Sequence, residues 1–486
     1  MKRPIRRRTW RSAGTGLLLG LAACSVNPAT GERELSLVSE SQEIQIGRDS
    51  DPAVTAQMGG VYPDSSLQRY VRGLGLELAA AGERPELPWS FKLLDDELVN
   101  AFALPGGFVY ITRGILANMN SEAELVAVLG HEAGHVTARH TAGRITRMQL
   151  GQLGLGLGMI FSETVRQYGQ AAATGLQLLF LSYGREDERQ ADELGFRYMT
   201  RINYNPDGMT SVMRMLQSTS ASAESAMPTW LSSHPDPGNR LQANQERIAE
   251  STTDFSSYRT NRDTFLERLD GLVYGMDPRQ GYFIGQRFLQ PTLRFEITFP
   301  SGWRKANGAQ AVQAGPASND ALIALTFASA SSAAAGAAEV RSMEGLTATR
   351  AYDGRVNGLT ASFVEFDLQT QGGILRGMVM YIEQGSSVFE IVAYGTESSW
   401  GGHRAAADAA LRSFANLTSA RHLDVAPHRI DIVRLPRAMT FDDFMRQYPS
   451  SVPVDDVRLA NQVASGESLA SGRLMKRITG GRVPTN

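Results

Sequence analysis

The feature that most constrains this chain is the run His131-Glu132-Ala133-Gly134-His135. Two histidines four apart share one face only if the backbone between them is helical, with one turn separating them. On such a helix both imidazoles can bind one Zn²⁺ at about 2.0–2.1 Å. Glu132 then lies roughly 100° further round, within reach of a water on the metal. Zinc lowers that water's pKa, and Glu132 can take its proton as it attacks a peptide carbonyl. Ser121, with Glu124 three residues on, reads as a capping box, so the spacing predicts a helix from about Ser121 to Arg147. His140 would sit about 140° beyond His135 on a continuous helix. It is therefore read as a packing histidine pointing away from the metal.

A site of this kind needs a third protein ligand and an open fourth position. The acidic run Glu186-Asp187-Glu188-Arg189-Gln190-Ala191-Asp192-Glu193 is the best source. Glu188 and Asp192 are one helical turn apart. Glu188 could bind the metal while Asp192 orients a ligand histidine; the competing reading is a solvated, charged helix face. His234 is a further candidate, in Ser233-His234-Pro235-Asp236-Pro237-Gly238-Asn239-Arg240. Tyr183 and Tyr204 flank the acidic helix and could bind an oxyanion, although nothing in the sequence selects either. His403, His422 and His428 lack any partnering pattern and are read as surface or packing residues.

The chain has 486 residues, 42% hydrophobic and 20% charged, which argues against disorder and against a multi-spanning membrane protein. A formal net charge of -2 gives no reason to expect nucleic acid as a partner. Residues 1–23 join a basic stretch (Lys2, Arg3, Arg6, Arg7, Arg8, Arg11) to a short apolar run, Gly16 to Ala23. This reads as a secretory signal, too short to span a bilayer. Its end, Leu21-Ala22-Ala23-Cys24, resembles the lipobox of bacterial lipoproteins, which implies cleavage before Cys24 and a lipid anchor on it. Cys24 is the sole cysteine, so no internal disulfide is available. Ser25, rather than Asp, after the cysteine points to the periplasm and the inner face of the outer membrane.

Three further segments follow. Residues 24–255 are mostly helical: a helix over 64–82, strands near Phe91–Leu94, Val99–Ala103 and Phe108–Thr112, and a helix from about Gln170 to Arg201. The Gly- and Leu-rich stretch 150–161 is read as buried or mobile near the site, or as a membrane-surface contact. Residues 275–420 alternate as strands do (Phe295, Ile297, Phe299; Ile323, Leu325, Phe327; Val364, Phe366, Leu368) and predict an antiparallel α+β domain. Within it, Ser329–Ala338 is read as a low-complexity Ala/Ser loop. Residues 428–481 form a small unit whose element order resembles a LysM-like module, able to contact peptidoglycan or to pack on the rest of the chain.

Three separated motifs, in order, resemble the M48 peptidase family: Asn100-Ala101-Phe102-Ala103-Leu104-Pro105-Gly106-Gly107, then His131 to His140, then Glu188-Arg189-Gln190-Ala191-Asp192. The lead-in Asn27-Pro28-Ala29-Thr30-Gly31, with Leu35 and Ser39-Glu40, is similar to the family's periplasmic lipoprotein members. The resemblance covers residues 24 to about 250. It implies a mainly helical, thermolysin-like (gluzincin) fold with a small edge-strand sheet, making the whole chain α+β. It implies one zinc per chain on His131, His135 and Glu188, with Glu132 as catalytic base and Asp192 as proton donor or as orienter of a ligand. Asn100 to Thr112 would supply an edge strand on which substrate backbone adds by β-augmentation. The stretch from His234 to Arg240 resembles the family's H-P-x-x-x-x-R. There His234 and Arg240 stabilise the oxyanion, or His234 occupies the open metal position until its loop moves, or the stretch merely starts a helix at Pro237.

The expected activity is a zinc endopeptidase for unfolded or misassembled envelope proteins. The alternative is a chaperone or assembly factor on a largely autoinhibited protease scaffold. Expected partners are peptide substrates, the membrane through Cys24, and peptidoglycan or outer-membrane assembly machinery. No helical-hairpin repeat follows residue 250, so substrate choice does not carry over from family members that have one.

Overall fold

The computed structural model describes residues 24–31, 33–36, 38–151, 182–222, 229–370 and 372–484. The signal-like segment, all but the start of the Gly- and Leu-rich stretch, and residues 170–181 of the expected long helix lie outside the described residues.

Cys24–Val26 (β1) pairs antiparallel with Arg33–Leu35 (β2). Ser39 and Gln42 close a capping box on α1, Glu40–Gln57. In α2, Ser65–Ala81, Leu67, Val71, Leu74 and Leu78 recur at helical spacing and are all buried, while the Asp64 carboxylate accepts the first free N–H groups. Three short strands follow: Ser90–Leu94 (β3), Ala101–Leu104 (β4) and Phe108–Thr112 (β5). Their order is β3-β5-β4, with β3 parallel and β4 antiparallel to β5, so β4 lies at an edge. Gly106, at φ +82°, turns β4 into β5 where a Cβ would stand 2.5 Å from the Ile44 Cα; only glycine fits that backbone and that space.

Arg113–Asn118 (α3) leads into Glu122–Thr137 (α4), every residue of which is buried. The expected continuous helix to Arg147 is not what forms. Arg139 adopts φ +60° and α5 restarts at His140, running to Gly151. The break is held from outside the helix: the Arg139 guanidinium donates to Val38 O at 2.7 Å and to the buried Glu43 carboxylate. These tertiary partners offset the cost of a left-handed non-glycine residue.

Then come Arg185–Arg201 (α6), Asp207–Ser222 (α7), Thr229–Ser233 (α8), Pro237–Glu250 (α9) and Arg262–Arg268 (α10). Helices α4 and α6 approach closely at glycines, Gly130 and Gly134 on one and Gly195 on the other. A Cβ on Gly195 would stand 3.1 Å from His131 N, and one on Gly134 would stand 3.0 Å from Ala191 O. This close approach brings Glu188 and Asp192 to the histidines.

The second half is rich in antiparallel sheet. Val273–Tyr274 (β6) is followed by Tyr282–Ile284 (β7), Arg287–Gln290 (β8), Phe295–Thr298 (β9), Arg304–Asn307 (β10), Val312–Gly315 (β11) and Ala321–Phe327 (β12). The expected Ala/Ser loop is instead partly helix, Ala333–Arg341 (α11). Ser332 caps it through Ala335 N, alanine is the best helix former, and Ala333, Ala337 and Val340 are buried. Four long strands follow, Leu346–Val356 (β13), Leu359–Thr370 (β14), Gly373–Gln384 (β15) and Ser387–Thr396 (β16), and then Trp400–Arg412 (α12). The seven-stranded sheet runs β10-β11-β12-β16-β15-β14-β13. Ala415–Asn416 (β17) completes a four-stranded sheet, β17-β9-β8-β7. The two sheets and α12 share a core around Phe288, Phe295, Ile323, Phe389 and Leu411.

The C-terminal segment holds Ala426–Arg434 (β18), a ribbon of Met439–Thr440 (β19) and Ser468–Leu469 (β20), helices Phe441–Gln447 (α13) and Val454–Asn461 (α14), and Leu474–Arg482 (β21). β21, β18 and β6 form one sheet. One contiguous core runs from Leu67 and Leu78 through Leu125 and Leu129 of α4 to Phe441, Leu474 and Ile478. The C-terminal segment therefore packs on the helix that carries His131. The fully buried Lys476 ties the two together, its ammonium donating to the carbonyls of Ala117 (2.7 Å), Met119 (2.5 Å) and Ala460 (3.0 Å). Among the described residues no helix is long and apolar enough to cross a membrane.

Candidate metal centre

The six residues singled out in the sequence converge. Helical spacing on α4 places His131 and His135 with their Nε2 atoms 3.0 Å apart. Two nitrogens on one tetrahedral zinc would stand about 3.4 Å apart. The crossing α6 brings Glu188 in, its carboxylate oxygens 3.5 Å from each of those nitrogens. The turn after α8 brings His234, whose Nδ1 is 2.9 Å from Glu188 Oε1 and 3.2 Å from His131 Nε2. One donor atom from each of His131, His135, Glu188 and His234 fits within 4.8 Å, and all four residues are buried.

The charges are balanced from outside the cluster. Arg240 of α9 holds Asp192 bidentately, Nη2 to Oδ1 at 2.6 Å and Nε to Oδ2 at 2.8 Å. Its Nη1 is 2.6 Å from Glu188 Oε2, an ion pair without aligned hydrogen-bond geometry. Burial alone would raise both carboxyl pKa values, but Arg240 outweighs it. Asp192 is pushed down to about 2, and Glu188 is held well below the usual range with help from His234 and His135. Asp192 Oδ1 in turn lies 2.9 Å from His131 Nδ1. A proton held on Nδ1 leaves the Nε2 lone pair facing the cluster. Burial lowers the His135 pKa well below its ordinary value and keeps the imidazole neutral, the form that ligates metals.

The donor set suits a metal ion on its own chemistry. Two imidazoles and a carboxylate meet in a buried space. There Glu132 Oε2 and His234 Nε2 have no hydrogen-bond partner in the protein, a state buried polar atoms rarely keep without an ion or a water.

Several participants were not legible in the sequence. Trp230 stacks on His234 at 4.5 Å and donates from Nε1 to Glu132 Oε1 at 3.3 Å; no motif flags it. Tyr183, one of the two tyrosines considered, stacks on His135 at 3.7 Å. Its hydroxyl lies 3.1 Å from Thr141 Oγ1, and burial pushes its pKa up to about 12 despite the Arg144 guanidinium over its ring. Tyr204 is elsewhere, donating at 2.5 Å to Glu122 at the start of α4. His140 gives no donor to the cluster, but it does not stand clear of the site. The break at Arg139 turns it back, and its Nδ1 lies 2.8 Å from His135 Nδ1.

Residues 65–248, which include every residue of this cluster, match Peptidase family M48. That match spans 184 of the 486 residues. The chain is 29% identical over 249 residues to the beta-barrel assembly-enhancing protease of Escherichia coli K12, covering 47% of this chain and 50% of that protein. It is 26% identical over 235 residues to the mitochondrial metalloendopeptidase OMA1 of Schizosaccharomyces pombe, covering 46% of this chain and 66% of that one. The matched stretch thus spans about half the length of the first of these relatives. Among solved structures, cyanobacterial PsbP from Synechocystis aligns at 15% identity and a TM-score of 0.23, over 28% of this chain and 95% of that one; a likeness at that level carries no argument.

Proposed function

We propose that this chain is a zinc endopeptidase of the bacterial envelope that cleaves unfolded or misassembled proteins, with one zinc held by His131, His135 and Glu188. The observation that carries the reading is the convergence of α4, α6 and the His234 turn on one buried set of donors. A bound zinc would supply Lewis acidity, polarising a peptide carbonyl and lowering the pKa of water. The chain's own residues do the rest. Glu132 is fully buried; Trp230 fixes its Oε1, and Oε2 remains open to accept a proton. Asp192, clamped by Arg240, holds the His131 tautomer, which favours its role as an orienting acid. Tyr183 keeps its proton and can donate to an oxyanion. The gluzincin assignment, the edge-strand substrate site at β4, an antiparallel accessory domain over 275–420 and a LysM-like unit over 428–481 belong to the same proposal. So do lipidation of Cys24 and residence on the inner face of the outer membrane; the names of the relatives are consistent with an envelope setting.

One observation favours a second reading, a chaperone or assembly factor on a self-blocked protease. His234 stands among the zinc ligands, and Trp230 N donates to Val99 O at 3.3 Å, just ahead of the edge strand β4. The test combines zinc content with casein cleavage for the wild type, Glu132→Gln and His234→Ala. Zinc in all three, with cleavage abolished only in Glu132→Gln, is expected of an open protease. Cleavage gained in His234→Ala supports self-blocking. Undiminished cleavage by Glu132→Gln overturns the mechanism.

A further inference from the structure

A chain of hydrogen bonds leaves the metal cluster on its α5 side and ends in the protein's N-terminal lead-in. His135 Nδ1 is 2.8 Å from His140 Nδ1. His140 Nε2 is 2.7 Å from Gln190 Oε1. Asn27 Nδ2 donates to the same Gln190 Oε1 at 3.3 Å, and Asn27 is buried.

The polarity of this chain of bonds follows from its two ends. If His135 gives Nε2 to the metal, its only proton is on Nδ1 and must be donated. His140 Nδ1 therefore accepts, His140 carries its proton on Nε2, and Gln190 must present oxygen rather than nitrogen. At the other end, Asn27 Oδ1 accepts from Ala29 N at 2.9 Å, which fixes the amide with Nδ2 toward Gln190. That NH₂ group also requires an oxygen on Gln190. Both ends thus demand the same Gln190 orientation; Asp187 Oδ1, 3.9 Å from His140 Nε2, favours a proton on that nitrogen as well.

The lead-in grips the same corner a second time. Val38 O and Glu43 hold the left-handed Arg139 that turns His140 back, and Arg84 joins Glu43 (3.2 Å) to Val136 O (3.0 Å) at the end of α4. We infer that Asn27 and Gln190 are positioning residues for the metal ligand His135, acting through His140, so that the segment directly after Cys24 is built into the metal centre. This rests on the zinc assignment above. A ligand histidine held at its second nitrogen keeps its tautomer and ring orientation, and loss of such a partner typically costs 10–100-fold in metal affinity.

The experiment uses the detergent-solubilised full chain. Zinc affinity is measured by chelator competition, and the absorption spectrum is recorded with Co²⁺ in place of zinc. Asn27→Asp is nearly isosteric and keeps the acceptor for Ala29 N. It replaces the donor facing Gln190 by an oxygen, so Gln190 must turn its NH₂ toward the new carboxylate. His140 then faces a donor at Nε2 and is driven to the tautomer that opposes His135 Nδ1–H. The expected result is a zinc Kd raised about tenfold with an altered Co²⁺ spectrum, and a similar loss in Gln190→Leu. Gln190→Glu, which still accepts from both neighbours, should stay within about threefold of wild type. Asn27→Leu and Gln190→Leu combined should be no worse than Gln190→Leu alone. Wild-type affinity and spectrum in Asn27→Asp, or multiplying losses in the double variant, would overturn the inference. The underlying zinc assignment fails separately, if the wild type takes up no zinc or His135→Ala binds it unchanged.

Discussion

Gly195 is a residue through which packing of α4 on α6 sets the geometry of the candidate metal cluster, and Gly195→Ala tests the zinc proposal there directly. The added Cβ would stand 3.1 Å from His131 N, 3.2 Å from Gly130 C and 3.3 Å from His131 Cα. Carbon contacts are comfortable at about 3.5–4.0 Å, so α6 must move off α4 by roughly 0.3–0.6 Å. Metal–ligand distances tolerate only about ±0.2 Å. Glu188 rides on α6 and both histidines ride on α4, so that displacement separates the ligands by more than the ion accepts. A zinc Kd at least tenfold weaker is expected, about 1.4 kcal/mol or more. Folding stability should respond differently. Overpacking costs about 1–3 kcal/mol, whereas replacing a mid-helix glycine returns about 0.5–1 kcal/mol. The metal-free protein should therefore lose at most about 2.5 kcal/mol by the same two terms. Chelator competition gives the affinity, and thermal melting with and without zinc gives the stability. Gly73→Ala is the control: it lies in α2 with nothing within 4 Å of its Cβ. It should stabilise by about 0.4–1 kcal/mol and leave zinc binding alone. A folded Gly195→Ala that binds zinc within twofold of wild type would refute the claim that this crossing sets the ligand geometry.

Two further outcomes follow from buried charges. Lys476→Met removes the ammonium that holds the carbonyls of Ala117 and Met119 and balances the buried Glu124. It should cost about 3–5 kcal/mol, read as a lower melting temperature of the whole M48 region, and adding Glu124→Gln should recover part of the loss; an unchanged melt would show that the C-terminal segment does not brace α4. In the seven-stranded sheet, burial raises the Glu390 pKa above 4.5, with Tyr381 donating to it at 2.6 Å and partly offsetting the rise. A raised folded pKa means the folded state holds its proton more tightly. That stabilising contribution is complete below about pH 4.5 and is lost as pH climbs through the raised value. Glu390→Gln should flatten that part of the pH profile and melt higher than wild type at pH 8; equal melting of the two proteins at both pH 4 and pH 8 would count against it.

Which residues share a face was readable from spacing, because helical periodicity converts four-residue intervals into shared faces; that the acidic pair meets the histidines was implied only by the family resemblance. His131 with His135, and Glu188 with Asp192, needed only a helix beneath them, and local sequence is enough to make one. The strands Ala101–Leu104 and Phe108–Thr112 were legible instead as short apolar runs between turn residues, and they are buried at every position. What the sequence could not decide was where helices stop under tertiary load and which residues meet from distant segments. Arg139 breaks α4 because Val38 and Glu43, about a hundred residues away, hold it. His140, placed by helical arithmetic on the far side, therefore touches His135 instead. Ser332 turned an alanine-rich stretch into a helix once a sheet lay beneath it to bury Ala337 and Val340. Trp230 carries no signature, and the motifs that contain Gln190 and Asn27 do not say what either touches, since stacking and second-partner hydrogen bonds depend on orientation between residues as far as 163 positions apart. The sequence by itself determined which side chains share a helical face and are of a type that can bind a metal, because that is a matter of residue type and helical period. Only the tertiary structure decided which atoms hold those side chains in place, because burial, tautomer and helix-to-helix distance belong to the packed core.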